Sequence, residues 1–299
     1  MSHSDDDRLI LVIFDHPRMK IVTNPEEMRF LSRGERTRRG RLGLVPTMGA
    51  LHDGHLSLLR AARSRSDVVA ASIFVNPTQF GPTEDFAKYP RNLESDCAML
   101  EREGVELVFA PSVDEMYPKG AVTWVVVEGM SDRLCGRARP GHFRGVTTVI
   151  SKLFHIVEPD LAFFGQKDAA QVAIIKRMVR DLNLPVLIEV CPIVREPDGL
   201  ALSSRNSYLT AEERKSALVL YRSLTRVQQE FANGGRDASN LIESGKREFA
   251  QQAGARIDYL EIVDPDSLEA ETKITKPVLV AVAAFLGKTR LIDNITLLP

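Results

Sequence analysis

Short apolar runs alternate with stretches of helical period through roughly the first two-thirds of the chain, and that alternation predicts βαβ units around a parallel sheet. The runs Leu42–Val45, Val68–Val75, Leu107–Phe109, Asp160–Phe164 and Val186–Val190 are each followed by polar, Gly or Pro residues, as expected of strands buried on both faces. Between them, Val146, Ile150, Leu153, Phe154 and Val157 fall on one helical face, as do Ile175, Met178, Val179 and Leu182 in the next amphipathic stretch. These faces are expected to cover the sheet. From about Arg195 the pattern changes to a loop, a charged helical stretch, a Gly-containing linker at Asn233–Arg236, and strand-like runs at Tyr259–Val263 and Val278–Phe285. The prediction is an α/β chain with a domain boundary just before Arg195. No internal repeat or low-complexity segment interrupts it.

Composition narrows the function classes. With 299 residues, 44% hydrophobic and 26% charged, the chain can bury a sizeable core and is expected to form two domains. A formal net charge of −1 leaves no global positive field for nucleic acid or an anionic membrane, so anion binding must come from local clusters. Cys97, Cys135 and Cys191 are far apart, odd in number and without zinc-type spacing, which argues for a reducing cytoplasm and against a disulfide framework or a structural metal. The run Leu9–Phe14 follows the acidic Asp5–Asp7 and stops at Asp15, too short and wrongly flanked for a signal peptide or a membrane span.

The candidate chemistry sits beyond predicted strand ends, where ligands bind in open α/β sheets. The segment Val45-Pro46-Thr47-Met48-Gly49-Ala50-Leu51-His52-Asp53-Gly54-His55 runs from a strand through a glycine-punctuated turn into a helix. Gly49 and Gly54 are expected to permit the tight turn, and the helix amino terminus offers unpaired N–H donors to phosphate. Two imidazoles on either side of one glycine can donate hydrogen bonds to oxygens where charge develops. In isolation the histidines read as exposed turn residues; their place between strand and helix favours the functional reading.

Further along, Phe74-Val75-Asn76-Pro77-Thr78-Gln79-Phe80-Gly81 supplies two amides suited to carboxylate, hydroxyl or amine groups, although Asn-Pro alone reads as a turn. Asp96 is by default a helix-capping carboxylate and also a candidate partner for a phosphate-bound magnesium. The loop Arg137-Ala138-Arg139-Pro140-Gly141-His142-Phe143-Arg144-Gly145 is cationic and precedes a helix, an anion site or simply a solvated turn. In Phe163-Phe164-Gly165-Gln166-Lys167-Asp168-Ala169-Ala170-Gln171, Lys167 is a candidate phosphate contact, Gln171 lies one helical turn on, and Asp168 is also a cap. Val194-Arg195-Glu196-Pro197-Asp198-Gly199-Leu200-Ala201-Leu202-Ser203-Ser204-Arg205-Asn206 carries hydroxyls and a guanidinium suited to a triphosphate, beside the predicted boundary.

Taken together and in this order, Pro46–His55, Asn76–Phe80, Arg139–Gly145, Gly165–Gln171 and Leu202–Asn206 resemble the pantothenate synthetase family, within the nucleotidyltransferases that use a His-x-Gly-His motif. The resemblance runs from about Met19 to the C-terminus. It implies a Rossmann-like domain over residues 19–193, a smaller α+β lid domain over 194–299, a homodimer, and an extension at 1–18. It also implies joining of pantoate to β-alanine through an acyl-adenylate made from ATP. On the matching positions, Met48, Gly49, Ala50, Leu51, His52, Asp53, Gly54 and His55 line the ATP site with Gly165, Gln166, Lys167 and Asp168. Val194 lies on the adenine side, and Leu202, Ser203, Ser204 and Arg205 form the mobile segment. Gln79, Gln171, Asn76 and Arg139 are expected to serve pantoate or β-alanine. His55, His52, Lys167 and Arg205 are expected to be catalytic, and Asp96 to be associated with Mg2+. Two other readings stay open at this level: a nucleotidyltransferase that leaves AMP on a phosphorylated acceptor, and a silent nucleotide-binding module.

Overall fold

The computed structural model describes residues 19–82 and 84–299; the expected extension at 1–18 lies outside the described residues. β1 (Lys20–Val22) leads into α1 (Pro25–Arg39), started by Asn24, whose side-chain oxygen accepts from the backbone N–H of Glu26 and Glu27 at 2.9 and 3.1 Å. β2 (Leu42–Thr47), α2 (Asp53–Arg65), β3 (Val68–Ile73), α3 (Leu93–Arg102) and β4 (Leu107–Phe109) continue the alternation. Two single-turn helices, α4 (Val113–Met116) and α5 (Cys135–Ala138), precede α6 (His142–Val157), β5 (Leu161–Gly165), α7 (Ala169–Asp181) and β6 (Leu187–Cys191).

The six strands form one parallel sheet in the order β1-β4-β3-β2-β5-β6. Side-chain alternation decides what each face meets. Leu42, Leu44, Val68, Ala70, Ala162 and Phe164 enter the core under α6 and α7, while Val45, Val69, Ala71, Leu161 and Phe163 face Leu58, Leu59 and Leu100 of α2 and α3. The predicted face of α6 is buried throughout, each such side chain contributing roughly 1.5–3 kcal/mol. On α7, Ile175 and Met178 are buried but Leu182 is half exposed, because the helix ends at Asp181 and Leu182 is its cap.

Winding reverses between β2 and β5, which pair only through Gly43 with Leu161 and Leu44 with Ala162. β2 and β3, by contrast, pair along their whole length. Pairing that stops so early leaves a crevice between the carboxyl ends of β2 and β5, the topological switch point where such sheets receive ligands.

The C-terminal unit has α8 (Ala211–Ala232), α9 (Ala238–Ala250) and an antiparallel sheet of β7 (Ala255–Val263), β8 (Val278–Leu286) and β9 (Thr289–Leu297). Thr210 and Glu213 cap α8 reciprocally. On β8, Val278, Val280, Val282 and Ala284 face α8 and α9. Leu279, Ala281 and Ala283 point the other way, into the core of the first unit. The boundary expected before Arg195 falls in the segment joining β6 to α8.

Candidate active site

The loop leaving β2 is bent by backbone of positive φ at Gly49 (+78°) and Ala50 (+52°), a conformation that strains Ala50 unless something holds it. Asp96 does so: its two carboxylate oxygens accept from the backbone N–H of Ala50 at 3.0 Å and Leu51 at 2.9 Å. At 2% exposure, with each carboxylate oxygen accepting one loop N–H, Asp96 anchors the loop, and these contacts are not the Mg2+ association expected of it. Gly54 also differs from expectation. It has no positive φ; a Cβ there would lie 2.8 Å from Cε1 and 2.9 Å from Nδ1 of His52, so glycine is needed to admit that ring.

The ring orientations follow from the helix start. His52 Nδ1 accepts from the N–H of Gly54 at 3.1 Å, and His55 Nδ1 accepts from the N–H of His52 at 3.3 Å. An Nδ1 that accepts carries no proton, so the proton of each neutral ring is assigned to Nε2. Burial lowers the His55 pKa to about 3, with the nearby His52 and Lys167 adding to the shift. Burial and Lys167 also lower that of His52. Both rings are therefore neutral N–H donors at the amino terminus of α2.

The opposite wall is built around Gln79. Asn76 Nδ2 donates to Gln79 Oε1 and to the carbonyl of Gly145, both at 3.1 Å, and Gln79 Nε2 lies 2.9 Å from Met48 Sδ. Asn76 Oδ1 accepts from Thr78 Oγ1 and Tyr117 Oη, each at 2.9 Å. Asn76, expected to contact substrate, lines the cavity but is only 1% exposed, and its amide hydrogens go to Gln79 and the Gly145 carbonyl, so it also orients Gln79. Arg139 is likewise engaged. Its guanidinium grips Glu84 at 2.8 and 2.5 Å and donates to the Gln79 carbonyl at 3.2 Å. His142 Nδ1 donates to that same carbonyl at 2.8 Å, and its Nε2 faces Arg139 Nη1 at 3.0 Å. Burial, reinforced by the Arg139 charge, lowers its pKa to about 4. Gly145 lets α6 approach this wall: a Cβ there would meet the Thr78 carbonyl oxygen at 2.4 Å and Gln79 N at 2.7 Å.

Across the crevice, the turn after β5 carries Lys167 and Asp168, Gln171 follows in α7, and the segment after β6 brings Val194, Leu202, Ser203, Ser204 and Arg205. These residues enclose a cavity of about 240 Å³ with Met48, His52, Gly54, His55, Gln79, Arg139 and Gly165. Gly49, Ala50, Leu51, Asp53 and Gln166 are not on its wall. The first three shape the loop behind the wall, and Gln166 turns its amide to Asn294 at 3.0 Å.

A family model described as "Pantoate-beta-alanine ligase" matches residues 20–296. The chain belongs to the pantoate-beta-alanine ligase family. A pantothenate synthetase of Koribacter versatilis is 58% identical over 279 residues, covering 93% of this chain and 96% of that protein. One from Thermotoga neapolitana is 56% identical over 92% of this chain and 99% of its own length. The crystal structure of pantothenate synthetase from Thermus thermophilus superposes with a TM-score of 0.89 at 45% identity, covering 94% of this chain and 100% of that one. A pantoate-beta-alanine ligase from Francisella tularensis, described as complexed with beta-gamma ATP and beta-alanine, gives 0.76 at 35% identity, covering 93% and 97%.

Three features of this family member's site were not drawn from its sequence. His142 lay within the cationic motif but was not assigned, because its place against Gln79 depends on contact between α6 and the turn at 77–79. Tyr89 lines the cavity from a separate loop. Asp293 and Asn294 stand behind the site on the last strand, bonded to Arg195 and to the Gln166 and Lys167 carbonyls, and their only sequence signal is a polar pair inside the apolar run Leu291–Ile295.

Proposed function

We propose that this chain catalyses the ATP-dependent condensation of (R)-pantoate with β-alanine to pantothenate, releasing AMP and pyrophosphate. The observation that carries the reading is one crevice lined by two neutral imidazoles whose protons sit on Nε2, by Lys167, and by the amide residues Gln79 and Gln171. The family membership supports it, as does the ATP and beta-alanine named for the Francisella tularensis structure.

In the first step a pantoate carboxylate oxygen attacks the α-phosphorus of ATP, the bond to the bridging oxygen breaks, and pyrophosphate leaves. A carboxylate is already nucleophilic, so alignment and charge stabilisation dominate over base catalysis. His52 and His55 donate to phosphate oxygens as charge builds, aided by the α2 amino terminus, Lys167, Ser203, Ser204 and Arg205. Gln79 and Gln171 hold pantoate, with Gln79 also near β-alanine, and Val194 borders the adenine. In the second step the β-alanine amine attacks the acyl carbon and AMP departs with the oxygen that joined them. Residues 194–299 act as the lid.

Mg2+ would be held by the ATP phosphates and would offset their charge. Among the described residues no group of three or more His, Cys, Asp or Glu is placed to cage a metal ion, and the contacts of Asp96 go to the loop backbone, so the phosphates of ATP would supply most of the ligands to such an ion. The homodimer reading is supported by Val122, Trp124 and Val126, which alternate along a segment outside the named strands and are 82%, 42% and 51% exposed. A cytoplasmic location accords with three free, buried cysteines. Among the described residues no helix is long and apolar enough to cross a membrane.

Mass-resolved product analysis with ATP, Mg2+ and pantoate, with and without β-alanine, tests the reading. Pantothenate and AMP together, only when β-alanine is present, are expected. AMP retained on an acceptor, or ATP binding with no product, would replace the reading with one of its two rivals.

A further inference from the structure

We propose that the adjacent pair Asp293-Asn294 of β9 is a positioning clasp that sets Lys167 against the Ser203–Arg205 wall, an inference that rests on the function proposed above. Asn294 is 2% exposed and its amide is spent on the turn that carries Lys167. Its Oδ1 accepts from Gln166 Nε2 at 3.0 Å, and its Nδ2 donates to the carbonyls of Gln166 at 2.9 Å and Lys167 at 3.0 Å. Asp293, 3% exposed, serves the other wall. Its carboxylate takes Arg195 bidentately at 2.6 and 2.9 Å and also accepts the N–H of Asn294 at 2.8 Å.

Arg195 in turn donates to the Gly199 carbonyl at 2.9 Å and bridges to Ala201, and the N–H of Leu202 donates to the Val194 carbonyl at 3.0 Å. That closes the loop whose far end presents Ser203, Ser204 and Arg205. Two neighbouring residues on one strand thus hold both phosphate-facing walls. The strand is itself paired with β8 along its length, which makes it a rigid spacer between them. Buried polar groups with every partner supplied fix geometry more than they add net stability. A shift of about 1 Å in such a spacing can cost a reaction about 100-fold.

The residue acts through Lys167, and that is what distinguishes it from a merely structural polar group. The test is pantoyl-adenylate formation, followed as pyrophosphate release in a single turnover with ATP, Mg2+ and pantoate. Asn294→Ser is measured in the native chain and in Lys167→Ala, beside the core variant Val280→Ala, which lowers thermal stability without reaching the cleft. The expected result is a loss of about 10- to 100-fold for Asn294→Ser, less than twofold further loss when Lys167 is already Ala, and little change for Val280→Ala. Gln166→Ala, which breaks the same contact from the other side, is expected to show the same dependence on Lys167 and serves if Asn294→Ser does not fold. Equal losses with and without Lys167, or a loss no larger than that of Val280→Ala, would overturn the clasp. An unsubstituted protein that releases no pyrophosphate would instead overturn the proposed function.

Discussion

Replacing Gly145 by Ala isolates the contact between α6 and the Gln79 wall. The added Cβ would sit 2.4 Å from the Thr78 carbonyl oxygen, 2.6 Å from its carbon and 2.7 Å from Gln79 N, against 3.4 Å for the start of ordinary contact. All three neighbours are backbone, so no side-chain rotation relieves the clash and the 78–79 peptide must retreat by roughly 1 Å. That retreat pulls on the bond from Asn76 Nδ2 to the Gly145 carbonyl, and through Asn76 on the Gln79 amide. Overpacking of this kind costs about 1–3 kcal/mol. A displacement of about 1 Å in a substrate-positioning group costs on the order of 100-fold in rate. We therefore expect Gly145→Ala to remain folded with a lowered melting temperature, to lose about 100-fold in kcat/KM for pantoate, and to change KM for ATP less than threefold. Steady-state kinetics with each substrate varied in turn, beside a thermal melt, provides the readout. A folded variant whose pantoate kcat/KM stays within threefold of the parent would refute the reasoning.

Asp96→Asn replaces one accepting oxygen with a donor facing a backbone N–H; a stability loss of about 1–3 kcal/mol and slower adenylation are expected, with the Mg2+ concentration giving half-maximal rate unchanged. A raised Mg2+ requirement at unchanged stability would assign Asp96 a metal role. His55 should show the Nε2–H tautomer in long-range proton–nitrogen spectra and should not titrate between pH 8 and about 5; a midpoint near its ordinary 6.5 would contradict its burial. Its folded pKa lies below the unfolded value, so the stability it contributes is full above 6.5 and is lost as pH falls toward 3. Removing residues 1–18, which precede the matched family region at 20–296, should leave kcat within twofold; loss of active protein would show a need for them.

The sheet was legible because its strands are short apolar runs with little else in them, and Leu107–Phe109 coincides with its predicted span. β1 was missed because this edge strand opens on Lys20 and leaves only two apolar residues, of which Ile21 is exposed, and β9 because polar residues at 293 and 294 interrupt its apolar run. The site motifs were legible as contiguous strand–turn–helix segments. What individual side chains touch was not. Asp96, Asn76 and Arg139 carry chemistry that suits a ligand, yet the fold places backbone N–H groups, Gln79 and Glu84 against them. Residue type announces what a group can bond to, and only tertiary contact decides whether its partner comes from the protein.

The central claim is that a pantoate carboxylate oxygen bonds to the α-phosphorus and leaves on AMP. Turnover of pantoate labelled with 18O in its carboxylate, with ATP and β-alanine, tests this most directly by mass spectrometry of the released nucleotide. One labelled oxygen in AMP and none in pyrophosphate is the predicted result; unlabelled AMP, or label in the pyrophosphate, would contradict the account.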